Sequence, residues 1–231
     1  MGNGPDPRRN KEGTEAQMTR KILLFEILLI AAVFVAIVAM YPHLPNRVAT
    51  HWDINLHPNR YSPKWTLFLL GPGLMAGITL FTFAGPWLSP ERFQVDSFRS
   101  TYAQVLLMLF CTMAYISVVT LWAGAGHRID EGRAVLGGIC LLFAVMGNVM
   151  GKVRRNFFIG IKTPWTLASE RVWNATHRFA AKTFVAGGLL GLALTMIGLR
   201  RWPIFALLAG AIAPTIYSFI RYKQLQRRGD L

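Results

Sequence analysis

Six apolar runs set the limits on what this chain can fold into. They are Ile22–Met40, Trp65–Phe83, Ala103–Ala123, Ala134–Met150, Thr183–Leu199 and Pro203–Ile220. A helix needs about 20 mainly apolar residues to cross the hydrocarbon core of a bilayer. Four runs meet that length or nearly do. The fourth and fifth are shorter and need flanking residues to complete the crossing. The expectation is an all-α membrane protein, a polytopic bundle of six transmembrane helices. With 53% hydrophobic and only 16% charged residues, the composition suits this class better than a soluble domain. The first run follows a polar, basic tail and is followed by "YPHLPNRV" rather than a small-residue cleavage site. It reads as a retained span, not a signal peptide.

The net charge of +14 excludes less than it first suggests. In a soluble protein it would point to nucleic acid. Here the basic residues sit in loops and tails, where they mark the cytoplasmic side of a membrane protein near anionic lipid. No nucleic-acid motif accompanies them. With six spans the connections alternate between two sides. The side holding both termini carries 18 Lys and Arg, and the opposite side 7. That asymmetry predicts N-in/C-in topology, with both termini in the cytoplasm. The tail over residues 1–20 is Gly/Pro-rich and polar, and is expected to be disordered. Cys111 and Cys140 both lie inside apolar runs, so they read as small buried thiols rather than a disulfide.

Helix contacts have candidates in Gly73/Gly77, Gly147/Gly151 and Gly187/Gly191. Small residues four apart let helix backbones approach in lipid. Two polar residues stand inside spans. Glu26 lies about five residues beyond the basic start of the first, and a carboxylate there is costly and often functional. Asn148, near the end of the fourth, has an amide able to bond across helices. No chain of acidic groups runs through the spans, so little supports a proton-coupled pump. No inverted repeat of the transporter kind is visible.

Two connections carry chemistry. The first reads "YPHLPNRVATHWDINLHPNRYSPKW" and falls on the external side. His51, Asp53 and His57 are metal-ligand types, and an extended segment would put His51 and Asp53 on one side. A solvated Pro-rich loop explains the same residues. No cofactor is expected. The second connection, within 152–182, falls on the cytoplasmic side. Its core, "RRNFFIGIKTPWTLASERVWNATHRFAAKTF", runs from Arg154 to Phe184 and holds four Phe and two Trp. Pro164 disfavours helix at Thr163, so "NFFIGIKTPW" should lie extended or turning at the interface. Thr166 is a candidate N-cap, with Ser169 and Glu170 in the first turn of a helix running on into the fifth span. On that helix Glu170, Asn174, His177 and Arg178 fall on one polar stripe. An enzyme would use His177 as base with Glu170 orienting it. No nucleophile or metal set accompanies the pair, so the chain is not expected to be an enzyme.

The second connection resembles the signature of the SdpI family of bacterial membrane immunity proteins. That signature runs asparagine, aromatic, "IG", a basic residue, "TPWTL", Ser-Glu-x-x-Trp and Thr-His-Arg. The matching positions are Asn156, Gly160, Lys162, Thr163, Pro164, Trp165, Thr166, Ser169, Glu170, Trp173, His177 and Arg178. Lys162 stands where arginine is common, keeping the charge without the bidentate geometry. "LPNRVATHWDINLHPNRYSPK" is similar to a short N-terminal domain of unknown function that accompanies such proteins. The resemblance implies residues 21–102 as that domain, with two spans, and 103–231 as the SdpI-like domain, with four. It implies protection against a secreted toxic peptide, and a receptor role that captures a cytoplasmic repressor. A small transporter or lipid- or peptide-handling protein is the alternative. Either way the surrounding partner is the lipid bilayer.

Overall fold

A computed structural model describes residues 7–88 and 98–231, with side chains from residue 20 onward. The six expected spans are present as Arg20–His43, Thr66–Leu88, Arg99–Gly124, Glu131–Met150, Glu170–Met196 and Trp202–Arg228. In hydrocarbon every backbone N–H and C=O must be paired within the segment, which makes helices of such runs. Many large apolar side chains face outward, including Leu28, Val35, Leu80, Leu190 and Ile216. In water such a surface would be a liability, and in lipid it is the solvent-facing side.

The first helix, α1 (Pro7–Met40), begins well before its apolar run. The tail expected to be disordered is therefore helical in its backbone from Pro7. Pro7 suits the first helical position, and Lys11, Glu12, Glu15, Ala16 and Gln17 are good helix formers. The fold is mostly helical rather than wholly so. The first connection forms a hairpin of β1 (Arg47–Trp52) and β2 (Pro58–Pro63), paired antiparallel from Arg47↔Pro63 to Trp52↔Pro58. Its base is pinned by Lys64, whose Nζ donates to the carbonyls of Tyr41 and Leu44 and lies 4.4 Å from the Tyr41 ring centre.

The second span combines α2 (Thr66–Phe68), a widened turn over Leu69–Gly73 and α3 (Leu74–Leu88). Pro72 sits in the widened turn, because its missing N–H cannot serve a regular helical bond. Next come α4 (Arg99–Gly124) and α5 (Glu131–Met150), the latter capped by the Asp130 carboxylate, which accepts from Arg133 N. After the second connection and the short α6 (Pro164–Ala168) come α7 (Glu170–Met196) and α8 (Trp202–Arg228). The fifth span thus starts at Glu170, where its apolar run alone suggested Thr183. The polar first half of α7 is sheltered by the second connection rather than by lipid.

The closest packing involves α5, α7 and α8. A Cβ on Gly188 would come within 2.6 Å of the Cys140 carbonyl, and one on Gly147 within 2.7 Å of Val185 N. Of the expected glycine pairs, Gly147, Gly187 and Gly191 sit at such approaches. Gly77 meets nothing within 4 Å, and Gly188 and Gly210 take part instead. The α1–α4 half packs through Val33, Ile37, Met75 and Phe110. Within it Glu26 is fully buried. The Thr79 hydroxyl of α3 faces it, yet neither group completes a hydrogen bond.

Candidate functional site

The segment 152–182 is held from inside. Asn156 is fully buried and satisfies both ends of its amide. Its Nδ2 donates to the carbonyls of Arg154 (2.7 Å) and Ile159 (2.9 Å). Its Oδ1 accepts from the backbone N–H groups of Phe158 and Ile159, each at 2.7 Å. A single side chain therefore fixes a turn of backbone that no helix or strand organises. Gly160 follows with φ +118°, in the left-handed region. A Cβ there would collide with His177 Nε2. Glycine lets the chain pass directly over the imidazole.

His177 is likewise fully buried. Its Nε2 accepts from Ile161 N–H at 3.0 Å. A backbone N–H can only donate, so Nε2 carries the lone pair and the proton sits on Nδ1. Nδ1 then donates to the Trp173 carbonyl at 2.9 Å. The imidazole stacks on the Trp173 ring, with centres 4.0 Å apart at 18°. Trp173 is itself fully buried, and its Nε1 donates to the Val153 carbonyl at 2.8 Å. One histidine and one tryptophan, a helical turn apart, thus clamp both ends of the second connection onto α7.

The next stretch turns through two caps. Thr163 is the N-cap of α6, and Thr166 closes a capping box with it. Thr166 is buried inside the box, so it is the reciprocal partner and not the N-cap. Ser169 is extended (φ −133°, ψ 124°) and caps α7, accepting from Val172 N. The helix is therefore broken at Ser169. Trp165 leaves α6 toward α8, where its Nε1 donates to Ser218 Oγ and its ring meets Phe219 edge-on, centres 5.3 Å apart. Phe158 packs edge-on against Phe81 of α3 at 5.3 Å. The second connection thereby ties α3, α7 and α8 together.

The polar stripe anticipated on α7 is split by this packing. His177 points in, Asn174 is half-buried, and Glu170 and Arg178 are exposed. Glu170 does not orient His177, whose two nitrogens are both occupied by backbone groups. What remains at the surface is cationic on balance, since Glu170 is outnumbered by basic side chains. Lys162, Arg171, Arg178 and Lys182 are exposed, as is Arg154. Lys162 Nζ caps the carbonyls of Phe157 and Phe158, and Arg171 pairs with Asp230 at 3.3 Å. Sequence reasoning missed Ser218 and Val153 as partners, since nothing local marks them. It also missed Arg155, which donates to the Leu167 carbonyl.

At the opposite end of the bundle the hairpin turn is tied by Asp53. Its carboxylate accepts from the backbone N–H groups of Asn55 and His57. The His57 N–H holds that carboxyl below the usual aspartate range, aided by Asn55 N–H and by the charges of His57 and Arg200. His51 bonds through Nδ1 to Asn59 Oδ1 at 2.6 Å, and His57 Nδ1 lies 3.9 Å from Asp53. Among the described residues no three His, Cys, Asp or Glu side chains are grouped to hold a metal ion. Leu56, at φ +63°, packs onto Gly132 of α5, where a Cβ would come within 2.5 Å of the Leu56 carbonyl. Arg200 and Arg201 donate to Asn55, and Arg200 also pairs with Asp130 at 2.6 Å.

These features define a multi-pass helical membrane protein in which an aromatic, internally bonded segment is clamped onto the fifth span. Residues 152–218 match the SdpI/YfhL protein family, and residues 27–76 match a domain of unknown function, DUF1648. The chain thus carries an SdpI/YfhL region in its C-terminal half, after a DUF1648 region near its N-terminus. It is 23% identical over 205 residues to the immunity protein SdpI of Bacillus subtilis (strain 168), covering 87% of this chain and 96% of that protein. No solved structure matches the chain.

Proposed function

We propose that this protein protects a bacterium against a secreted toxic peptide and acts as a receptor for a cytoplasmic repressor. On this reading both termini and the second connection face the cytoplasm, as the basic asymmetry of the loops favours. The division of labour falls between residues 21–102, which present the hairpin outside, and 103–231, which carry the second connection inside. The observation that carries the reading is the sorting of the signature residues. Asn156, Thr166, Trp173 and His177 are buried and spend their polar atoms on backbone. Of the remainder, Lys162 and Arg178 are exposed, and with their non-signature neighbours Arg171 and Lys182 they outnumber the exposed Glu170, which makes a net-cationic rim on a rigid base. Such a rim suits an acidic protein surface, and its rigidity ties it to the arrangement of α3, α7 and α8. A peptide that shifts those helices would shift the rim.

The test is a deletion strain challenged with its neighbours' toxic peptides and complemented with variants. Wild-type protein should restore growth. Arg178→Glu with Lys182→Glu should keep protection while abolishing membrane recruitment of a repressor, because it reverses the rim without touching the buried clamp. Unchanged sensitivity on deletion would remove the immunity reading. Undiminished recruitment by the charge-reversed protein would remove the rim from it.

A further inference from the structure

We propose that the cavity between α4, α5 and α7 is a binding site for one phospholipid with an anionic headgroup. The cavity holds about 760 Å³, and its walls are almost wholly apolar. Along α5 it extends from Asp130 to Val145. At 1.5 Å per residue this is a length of roughly 22 Å. Half of a hydrocarbon core is only about 15 Å. The cavity therefore starts at headgroup level beside the first turn of α5 and ends past the midplane.

Its width decides between occupants. Volume and length together give a mean cross-section of roughly 35 Å². An α-helix with its side chains is about 10–12 Å across, or roughly 80–110 Å². So narrow a section suits extended hydrocarbon chains better than a helical peptide. The rim at the α5 end supplies the match for a headgroup. Arg133 lies there, with Nη2 donating to the carbonyls of Thr195 (2.8 Å) and Met196 (3.2 Å). Asp130 is already committed, capping α5 and pairing with Arg200 at 2.6 Å. Glu131 lines the separate small cavity beneath the hairpin. Arg200, outside the lining, offsets the charge of Asp130, which leaves the Arg133 guanidinium as the unbalanced charge of the lining, and guanidinium is suited to phosphate oxygens.

One wall position permits a clean test. A Cβ on Gly137 would meet only Thr195 at 3.8 Å and Leu192 at 3.9 Å, so a larger residue can be built there and will fill the cavity. The full-length protein in detergent would be titrated with phosphatidylglycerol and with phosphatidylcholine, and retained lipid counted by native mass spectrometry. Wild type should hold one phosphatidylglycerol at least fivefold more tightly than phosphatidylcholine. Gly137→Leu should weaken both by tenfold or more at an unchanged melting temperature. Arg133→Gln should erase the headgroup preference, and Arg133→Lys should restore part of it. Because Arg133 also holds the end of α7, Gly137→Leu is the variant that decides should Arg133→Gln fail to fold. Equal retention of the two lipids by wild type would overturn the proposal. So would undiminished binding by Gly137→Leu, which is the behaviour of ordinary boundary lipid. Displacement of the bound lipid by an apolar helical peptide would overturn the width argument and reassign the cavity.

Discussion

The two connections that carry histidine and aromatic residues are built from similar materials and do opposite things with them. In the hairpin, His51 is exposed and bonds one neighbouring side chain, Asn59. In the second connection, His177 is fully buried, stacked on an indole and bonded at both nitrogens to backbone. Asn59 sits in a strand that backbone pairing already holds. Asn156 replaces such pairing, its one amide serving four backbone groups. The difference teaches that residue type does not mark a ligand site. Where regular backbone bonding fails inside a protein, polar side chains are drafted to satisfy the backbone. The hairpin has its own ladder and leaves its polar side chains in the open.

Mutations should separate the two regions sharply. The largest effect is expected at the crossing of Gly160 and His177. Gly160→Val would drive a side chain into the imidazole at a backbone angle that β-branched residues avoid, and His177→Ala would leave the Ile161 N–H without its partner. Each should cost about 3 kcal/mol or more. His51→Ala should stay within about 0.5 kcal/mol. Thermal unfolding in detergent measures both, and equal effects at the two histidines would dissolve the contrast. The next effect is at Asn156. Asn156→Ala strands several buried backbone groups and should cost about 2–3 kcal/mol. Asn59→Ala should be close to neutral by the same measurement.

The smallest effect is one of acidity, and it belongs to the hairpin. The folded Asp53 carboxyl titrates below its unfolded value because the His57 N–H favours the charged form. A group of this kind contributes stability above its unfolded value, about 3.9 for aspartate, and loses it as pH falls through the lower folded value. Amide exchange at Asn55 and His57 should therefore speed up below about pH 4. Asp53→Asn should remove that dependence, since the neutral amide does not titrate. Exchange that stays flat to pH 2 in the wild type would show that the carboxylate does not hold the turn.

Much of the fold was legible from the chain alone. Six spans follow from run length, because lipid forbids unpaired backbone and leaves helices as the available solution. The helix boundaries were less legible where polarity and helicity part company. The cap residues marked the polar first half of α7 as helix, whereas its apolar run alone starts at Thr183; what the sequence hid is that the second connection lies over that half. The α1 extension to Pro7 rests on local helix propensity, which prevails over the polar composition of the tail. The hairpin was hidden by its prolines, which sit at strand ends where no ladder donor is needed.

The candidate site divides in the same way. Sequence by itself determined that 152–182 is exceptional, since so many aromatic and basic residues between two spans require explanation, and the family signature lies there. It also determined the excess of positive charge on one set of loops. Only the tertiary structure decided which signature residues look inward. Glu170 and His177 are two turns apart on one helix and look like partners in the sequence. They part because the chain returns over His177 at Gly160 and leaves Glu170 in the open. That return is a contact between segments sixteen residues apart, set by packing against Trp173 and Val153. Helical periodicity describes one helix and says nothing of what lies across from it.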